Sequence, residues 1–318
     1  GADLTDANLT GVDLTGRDLT GTILRGMDLT DKDLTGTILR EANISNSILT
    51  DVSLSGKDLT GTILRGMNLT DKDLTGTILR GADLTDANLL GQDLFDHDLT
   101  DVILTGADLS NSLLPDNGLS GKNFERTIFN WVDFSGKDLS YSDFSYADFA
   151  DANLENTNLT DASFINVDLT KIKNKSLADT DLSATSFAYS NLSGINLAGA
   201  ILESTNLYNA NLLGVDFTVT DVIADGLSFI ESNLSNSNFE GVDLSPKQMY
   251  FNIFENKAYL LRGQTQSSEA ESMIKKDIFG EFSRVLIISA EICNTQVCGV
   301  DEAEATFQGN DLAVNYIY

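Results

Sequence analysis

Residues 16–40 read GRDLT GTILR GMDLT DKDLT GTILR, and this stretch decides the fold. An apolar residue recurs at every fifth position within it, and residues 56–80 repeat nearly the same letters forty residues later. A period of five matches neither a strand, whose side chains alternate every two residues, nor a helix with its period of 3.6. The chain must therefore turn a corner every five residues, as in a solenoid whose stacked coils bury apolar side chains against their neighbours.

Each pentad places characteristic residue types at fixed positions. In the pentad GADLT (residues 1–5), glycine holds the opening position, alanine the inward position, aspartate the outward position and leucine the central position. The central residues keep their spacing of five from Leu4 to Leu169, resume eight residues later at Leu177, and shift again before Leu234. Extra residues in a solenoid leave it as loops, so the two register slips, near 170–176 and 228–233, predict two small loops.

The repeated pattern A(D/N)LxG, as in GADLT at 1–5 and 81–85 and DANLT at 6–10, resembles the pentapeptide-repeat family. The resemblance implies a right-handed, four-sided β-helix with four pentads per coil. We therefore predict an all-β solenoid over residues 1–244, with about 12 coils and a length of roughly 58 Å at the spacing of neighbouring strands.

The repeat stops at Ser245, and the remaining sequence has a different texture. Ser245-Pro246 is typical of a helix start, and we expect a short helix to about Glu255. A capping box beginning at Ser268 predicts a second helix, and the sequence becomes β-like from Arg284 to the end. We predict a small α+β cap or domain over residues 245–318.

The charge balance is strongly acidic, with 48 Asp and Glu against 20 Lys and Arg, a net charge of −28. A protein of this charge is not attracted to nucleic acid or to anionic lipid, and it favours basic partners. No apolar run is long enough to span a membrane. Gly1 already lies inside a repeat, which suggests a mature or trimmed product, so the compartment, extracellular or cytoplasmic, stays open.

Few residues could carry chemistry. His97 is the single histidine of the chain, and nothing in the pattern provides it with a catalytic partner. Cys293 and Cys298 form either a disulfide or two free thiols, and they cannot complete a structural zinc site. We expect no enzymatic activity and no cofactor.

A coil of 20 residues would place several outward aspartates in one file. These are Asp13, Asp33, Asp73, Asp93 and Asp133, with Ser53 and Leu113 as interruptions. A solvated acidic stripe is the simpler interpretation. Calcium bound between stacked carboxylates is the alternative, because oxygen ligands are present although a dedicated calcium loop is absent from the sequence.

Two sets of side chains are candidate interaction residues. The first set contains Ile23, Ile63 and Ile103 with Arg25 and Arg65, and a similar row contains Ile38 and Ile78 with Arg40 and Arg80. These rows are either a lateral contact surface or isolated isoleucines shielded by arginine stems. The second set, Trp131, Tyr141 and Tyr146, stands at corners and offers exposed aromatic rings to a partner, unless the rings only pack locally.

Charged residues at the inward position conflict with a buried core. Arg17, Lys57, His97 and Lys137 occupy it on one face, and Lys32, Lys72 and Gln92 occupy it on the neighbouring face. A buried ammonium without partners is costly. We therefore expect these side chains either to escape at distorted corners or to bond backbone carbonyls and flanking threonines such as Thr37 and Thr77.

These features favour a non-catalytic rod that serves as a structural or protein–protein interaction scaffold. We expect its partner to be another protein or a second copy, with end-to-end self-assembly through the uncapped N-terminal coil and the C-terminal strand. The alternative is a DNA-mimicking inhibitor of DNA gyrase or another DNA-binding protein, a role that the family resemblance implies. Two features disfavour it: the terminal helix of such proteins is replaced by mixed sequence, and the Ile/Arg rows break the acidic surface. Neither reading includes direct nucleic-acid binding or a membrane span.

Overall fold

The structure is a computed structural model that describes residues 1–217, Ser232 and the backbone of five strands between Ile253 and Ile317. Within the first 217 residues, parallel bridges join many outward residues to the one 20 residues later, as in Ile23 with Asn43 and Asn43 with Ile63. The chain therefore winds with four pentads per coil, as predicted. The total of about 12 coils extends beyond the described residues and stays a prediction.

Backbone hydrogen bonds join each coil to the next. The amide of Leu24 donates to the carbonyl of Asn43 at 2.7 Å, and the amide of Asn43 donates back to the carbonyl of Thr22 at 2.8 Å. Each side of a coil contributes only this short ladder before the chain turns. The described coils consequently contain isolated β-bridges instead of long strands.

Tight turns form the corners. The amide of Ala7 donates to the carbonyl of Leu4 at 2.9 Å, and Asp6 between them has a φ of +60°. A bond across four residues with one left-handed residue at the third place is typical of a type II turn. This geometry explains why glycine, aspartate and asparagine dominate the opening position, since these residues tolerate positive φ best.

The central residues fill the interior. Leu24, Leu64 and Leu84 are completely buried, and the small inward residue Ala42 is buried between coils. From residue 124 onward, phenylalanines replace leucine at several central positions. Their rings stack along one inner face, with centroid distances of 5.2 Å from Phe124 to Phe144, 4.9 Å from Phe144 to Phe164 and 5.3 Å from Phe164 to Phe187.

This stack continues because the first register slip adds a loop without disturbing the coils. Two short 3₁₀ turns, Leu169–Lys171 and Lys173–Lys175, occupy the slip. Bridges that span it join residues 23 apart, as in Asn158 with Asp181, and the spacing returns to 20 from Ser176 to Asn196. The slip therefore extrudes three residues, as predicted from the spacing of the central residues.

One hydrogen bond spans the second register slip and shows its size. The Ser232 hydroxyl donates to the carbonyl of Leu207 at 2.5 Å, 25 residues earlier, whereas equivalent bonds in regular coils span 23 residues. Two extra residues thus lie between them, which agrees with the second shift in the sequence. Residues 218–231 themselves lie outside the described part of the chain.

The C-terminal part contains one five-stranded sheet in the order β1-β2-β3-β4-β5. The strands are β1 (Ile253–Phe254), β2 (Lys257–Leu261), β3 (Arg284–Cys293), β4 (Gln296–Gln308) and β5 (Asp311–Ile317). Strands β2 and β3 are parallel, and the other neighbours are antiparallel.

Strands β3 to β5 cover the β-like sequence expected from Arg284 onward. The helix expected to reach about Glu255 is not formed at its end, because Ile253 and Phe254 belong to β1 and pair with β2. The second predicted helix, after Ser268, falls outside the described residues. The α+β assignment and the boundary at 245 stay predictions.

Among the described residues, no helix has the length and the apolar character needed to cross a membrane.

Candidate interaction surfaces

Many of the inward polar side chains share one kind of hydrogen-bond partner, which is a central-residue carbonyl in the preceding coil, 23 residues earlier. The Lys72 ammonium donates to the carbonyl of Leu49 at 2.5 Å, and the Lys57 ammonium donates to the carbonyl of Leu34. The same bond joins Lys32 to Leu9, Gln92 to Leu69, His97 to Leu74 and Lys122 to Leu99. The expectation of carbonyl partners is therefore confirmed for Lys32, Lys57, Lys72, Gln92 and His97, and Lys122 makes the same bond.

Threonine and serine make the identical bond and do not serve as partners for lysine. Thr37 donates to the carbonyl of Leu14 at 2.8 Å, and Thr77 donates to that of Leu54 at 3.2 Å. The lysines remain half-buried, and Arg17 is exposed. Burial lowers the pKa of Lys57 and of Lys122, which shows that a charged group at this position is tolerated at some cost.

The outward carboxylates also have structural roles. The carboxylate of Asp33 accepts the amide of Thr35 at 2.8 Å, and Asp18 accepts both the amide and the hydroxyl of Thr20, at 2.9 and 2.6 Å. These bonds from the threonine hydroxyl and amide lower the pKa of each aspartate, so the carboxylates stay ionised. Within the described residues, no group of three or more acidic, histidine or cysteine side chains could hold a metal ion.

The isoleucine rows are interrupted by polar residues from alternate coils. Ile23 and Ile63 are bridged through Asn43, and Ile63 and Ile103 through Asp83. Ile23 and Ile103 are exposed, whereas Ile63 is half-buried. Because no two isoleucines of a row are adjacent, each row consists of separate apolar residues.

Arginines beside these rows are partly engaged within the chain. Arg65 donates to the carboxylate of Asp83 at 2.5 Å, and Arg40 lies 3.6 Å from the carboxylate of Asp58. Every second coil thus presents isoleucine and arginine, and the coils between them present acidic or amide side chains. Such exposed pairs contribute little to stability.

The three predicted corner aromatics do not form one patch. Trp131, Tyr141 and Tyr146 are all exposed at left-handed opening positions, but each lies on a different corner. A coil has four pentads, so opening positions five, ten or fifteen residues apart fall on different corners. The amide of Trp131 accordingly bonds Ala150, that of Tyr141 bonds Thr160, and that of Tyr146 bonds Ile165.

A different aromatic grouping, which we call the tyrosine edge, follows one corner. It contains Arg126, Tyr146, Tyr189 and Tyr208. The Arg126 guanidinium lies 5.3 Å from the centroid of the Tyr146 ring, and the Tyr189 and Tyr208 rings meet edge to face at 5.2 Å. Tyr189 and Tyr208 were not predicted to join this corner, because their alignment with Tyr146 depends on the three-residue slip.

The predicted cysteine pair lies on neighbouring strands. Cys293 ends β3 and is paired with Gln296, and Cys298 lies two residues further along β4. The two cysteines are therefore not direct partners in the ladder, and their bonding stays a prediction.

The most irregular surface is a bend at residues 115–118, Pro-Asp-Asn-Gly. Leu114 and Leu119 on either side are buried at the expected spacing of five, so the sequence period conceals the change. The left-handed residue is Gly118, with a φ of +80°, in place of the opening residue Asp116. Proline followed by Asp, Asn and Gly is a turn signal that could have revealed the bend from the sequence.

The family model of pentapeptide repeats matches the chain in eight copies, over residues 1–26, 18–56, 58–91, 138–173 and 176–218. These ranges cover more than half of the chain. The unmatched residues 92–137 include the 115–118 bend. No curated protein matches the chain.

Several solved structures are similar to this chain. HetL, a pentapeptide repeat protein involved in heterocyst differentiation regulation from the cyanobacterium Nostoc sp. strain PCC 7120, is 24% identical; the match covers 76% of this chain and 95% of HetL, with a TM-score of 0.31. QnrB1, a plasmid-mediated fluoroquinolone resistance protein, is 18% identical over 73% of this chain and 93% of its own, with a TM-score of 0.21. A pentapeptide repeat protein from the Arabidopsis thaliana thylakoid lumen is 19% identical, covering 55% of this chain and 65% of its own, with a TM-score of 0.08.

Proposed function

Because the chain belongs to the pentapeptide repeat family, we propose that it acts as a non-catalytic scaffold, a stiff acidic rod whose outward side chains bind other proteins. The regular bridging of outward positions from coil to coil carries this proposal. Side chains on such a ladder are already fixed in position, so a partner binds them with little loss of conformational freedom.

The described polar groups support a structural role over a catalytic one. His97 uses Nε2 to bond the carbonyl of Leu74 at 2.9 Å, and the aspartates accept amides of their own turns. Central side chains fill the space between the walls of the coils. Proteins of this family are generally structural or interaction proteins, which agrees with this assignment.

Self-assembly is the finer part of the proposal. In the described sheet, β5 pairs only with β4, so its other edge is open to a further strand. The expected contact surface at the other end is the coil that contains Leu4, Leu9 and Val12. We propose that the open edge of β5 and the face of the first coil join successive molecules end to end.

Sedimentation velocity of the full chain over a wide concentration range tests self-assembly. We expect the sedimentation coefficient to rise with concentration, and Leu4→Asp, which charges the contact face, to keep the protein monomeric. Val314→Pro in β5 removes an edge donor and is expected to have the same effect. A monomer at every concentration would refute self-assembly.

The wider scaffold proposal needs an independent test. Cross-linking mass spectrometry on the full chain inside its native cells should yield cross-links from outward or corner residues to another protein or to a second copy. If the chain gives only internal cross-links and also sediments as a monomer, the scaffold proposal fails.

A second candidate is a DNA-mimicking inhibitor, and one observation favours it: the outward carboxylates recur from coil to coil and are held ionised by their turn bonds. QnrB1, to which the chain is similar, is a fluoroquinolone resistance protein. A gyrase supercoiling assay with added full chain distinguishes the two roles. Inhibition or protection of gyrase supports DNA mimicry, and the absence of any effect at micromolar concentration excludes it.

A further inference from the structure

The 115–118 bend changes the wall of the solenoid on one face. Asn117 stands at an inward position, yet its side chain is exposed, whereas the inward residues of the coils below and above, His97 and Lys137, are half-buried. Lys137 donates to the carboxylate of Asp116 at 2.7 Å instead of to a carbonyl of the preceding coil. The bend therefore removes one residue from an otherwise continuous inward column.

A groove opens where this residue is missing. It has a volume of about 420 Å³ and is lined by Phe95, His97, Pro115, Asn117 and Gly118, among others. A second groove of about 390 Å³ continues past Gly118 and Thr100 toward Lys122. Together the two grooves form one continuous surface channel that extends over two adjacent coils.

Phe95 lines the groove, and Leu113, two residues before Pro115, lies on the wall beside it and outside the lining. Phe95 is 52% exposed, and Leu113, at 59%, is the most exposed aliphatic side chain of the described residues. The outward residues Asp93 and Leu113 are bridged, and Phe95 follows Asp93 by two residues, so Phe95 and Leu113 lie on adjoining coils of the same face. Exposed apolar groups around a concave site are typical of a binding surface.

The rim of the groove is acidic. Asp96, Asp98, Asp101 and Asp116 line the two parts of the channel. Three cations lie near this rim: Lys122 donates to the carbonyl of Leu99 at 2.6 Å, Lys137 pairs with Asp116, and Arg80 interacts electrostatically with Asp98. The groove therefore combines a few apolar side chains, among them Phe95 and Pro115, with carboxylates that outnumber the nearby cations.

We propose that this groove binds a positively charged segment of another protein, which inserts one apolar side chain between Phe95 and Leu113 and places lysines or arginines against the acidic rim. A second copy of this chain fits this particular groove poorly, since its outward positions are themselves rich in aspartate. The inference rests on the proposed scaffold role and names the site and the chemistry of its partner.

Selection from a random-peptide phage library on the immobilised full chain tests the inference. Counter-selection against the double variant Phe95→Ser with Leu113→Ser removes peptides that bind elsewhere. We expect the enriched peptides to carry an aromatic or leucine residue flanked by lysine or arginine. A synthetic peptide of the enriched sequence should bind the double variant about tenfold more weakly than the unmodified chain, as expected for the loss of an apolar anchor.

Two matched controls separate the groove from general attraction to an acidic rod. Ile48→Ser removes an apolar residue that is 52% exposed on another face, and it should leave peptide affinity unchanged. Asp96→Asn with Asp101→Asn should weaken binding and reduce its salt dependence, whereas Asp28→Asn, remote from the groove, should do neither. Thermal melting verifies that each variant is folded.

The outcomes distinguish failure of the site from failure of the scaffold. Equal peptide binding by the unmodified chain and the Phe95/Leu113 variant would overturn the inference and leave the scaffold proposal standing. Enrichment of acidic peptides, or of basic peptides without an apolar residue, would also overturn it. If the library yields no enriched peptide, the groove inference fails, and the cross-linking experiment decides the scaffold role separately.

Discussion

The carbonyl oxygen of a central residue can accept two hydrogen bonds, and in this solenoid both can be used. The carbonyl of Leu14 accepts the turn amide of Arg17 at 3.1 Å and the Thr37 hydroxyl from the next coil at 2.8 Å. Lys57 makes the same kind of bond to Leu34 with a longer side chain. The inward position therefore requires either a small side chain or a donor that reaches this oxygen.

This requirement predicts opposite effects for two substitutions at Lys57. Lys57→Met removes the donor and should lower the free energy of unfolding by about 1 kcal/mol, the typical contribution of such a bond. Lys57→Thr restores the arrangement seen at Thr37 and Thr77, so its stability should equal or exceed that of the unmodified chain. Urea denaturation at neutral pH measures both, and a loss with threonine as large as with methionine would contradict the argument.

The pH dependence of this comparison follows from the lowered pKa of Lys57. When the folded state releases the proton at a lower pH than the unfolded state, stability rises with pH between the two pKa values. The unmodified chain should therefore gain stability relative to the Lys57→Thr variant as pH rises toward about 10.4, the unfolded value. Denaturation of both proteins across this range measures the difference between their free energies of unfolding, which should decrease as pH rises.

The outward aspartates predict how the protein responds to acid. Bonds from the threonine hydroxyl and amide lower the pKa of Asp18, Asp28 and Asp73, so their contribution is present at neutral pH and is lost as pH falls below about 4. Asparagine keeps the turn bond without titrating, as Asn43 and Asn88 already do. The triple asparagine variant should thus show a flatter dependence of unfolding free energy on pH in acid, and an unchanged slope would contradict this.

Single-residue properties were only partly predictable. The sequence indicated that inward lysines either escape at distorted corners or bond backbone carbonyls and threonines, and it could not decide between these because the 23-residue offset depends on how neighbouring coils are staggered. The grouping of Tyr146 with Tyr189 was missed for a similar reason, since the corner of each residue depends on every residue inserted before it.

At the scale of elements, the loop at the first slip is separable from the coils. Bridges on both sides keep their partners across Leu169–Lys171 and Lys173–Lys175, and Ile172 between them is buried. Deleting residues 173–175 should return the local spacing to 20 residues. We expect the variant to fold with an unfolding midpoint close to that of the unmodified chain.

A matched deletion inside a regular coil provides the control. Removing residues 143–145 also shortens the chain by three, but it deletes Phe144 from the stack between Phe124 and Phe164. Loss of a buried phenylalanine alone costs about 3–5 kcal/mol, and the shifted register adds to that cost. Circular dichroism and urea denaturation should show a folded loop deletion and a severely destabilised coil deletion. Similar losses for both would show that the loop supports the coils.

The parts of the chain in which the five-residue period is unbroken were the most predictable from the sequence. The two slips appeared in the sequence because the spacing of central residues changed. The 115–118 bend escaped notice because its four residues occupy the places of a normal corner, so the spacing from Leu114 to Leu119 stayed five. The groove that depends on this bend was consequently absent from the sequence-based interpretation.

At the scale of the whole molecule, each coil contacts only its neighbours, so whole coils should be removable. Residues 61–80 form one complete coil that closely matches residues 21–40. Deleting them leaves every later residue on its original face, and we expect a folded protein shorter by about 4.8 Å. Small-angle scattering measures the length. Deleting residues 61–77 instead breaks the pentad register and should abolish cooperative unfolding; if both deletions behave alike, coil-by-coil independence is wrong.

The fold of the coils could be predicted from the sequence because one short pattern recurs for most of the chain. The C-terminal sheet could not be predicted in this way. Residues 245–318 contain no repeated sequence pattern from which a fold could be predicted. Strands β2 and β3 pair in parallel although they are far apart in the sequence, and local sequence patterns do not reveal such a pairing. The boundary that separates the two regions accordingly stays a prediction.

The 115–118 bend also lies where the interior changes from leucine to phenylalanine. Stacked aromatic rings hold successive coils together over a larger contact than leucine side chains do. A pulling force applied at the two ends would therefore unwind the leucine-filled turns first. Leucine-filled turns on both sides of the aromatic stack, such as those of Leu24 and Leu202, would yield before the turns that contain Phe124, Phe144 and Phe164.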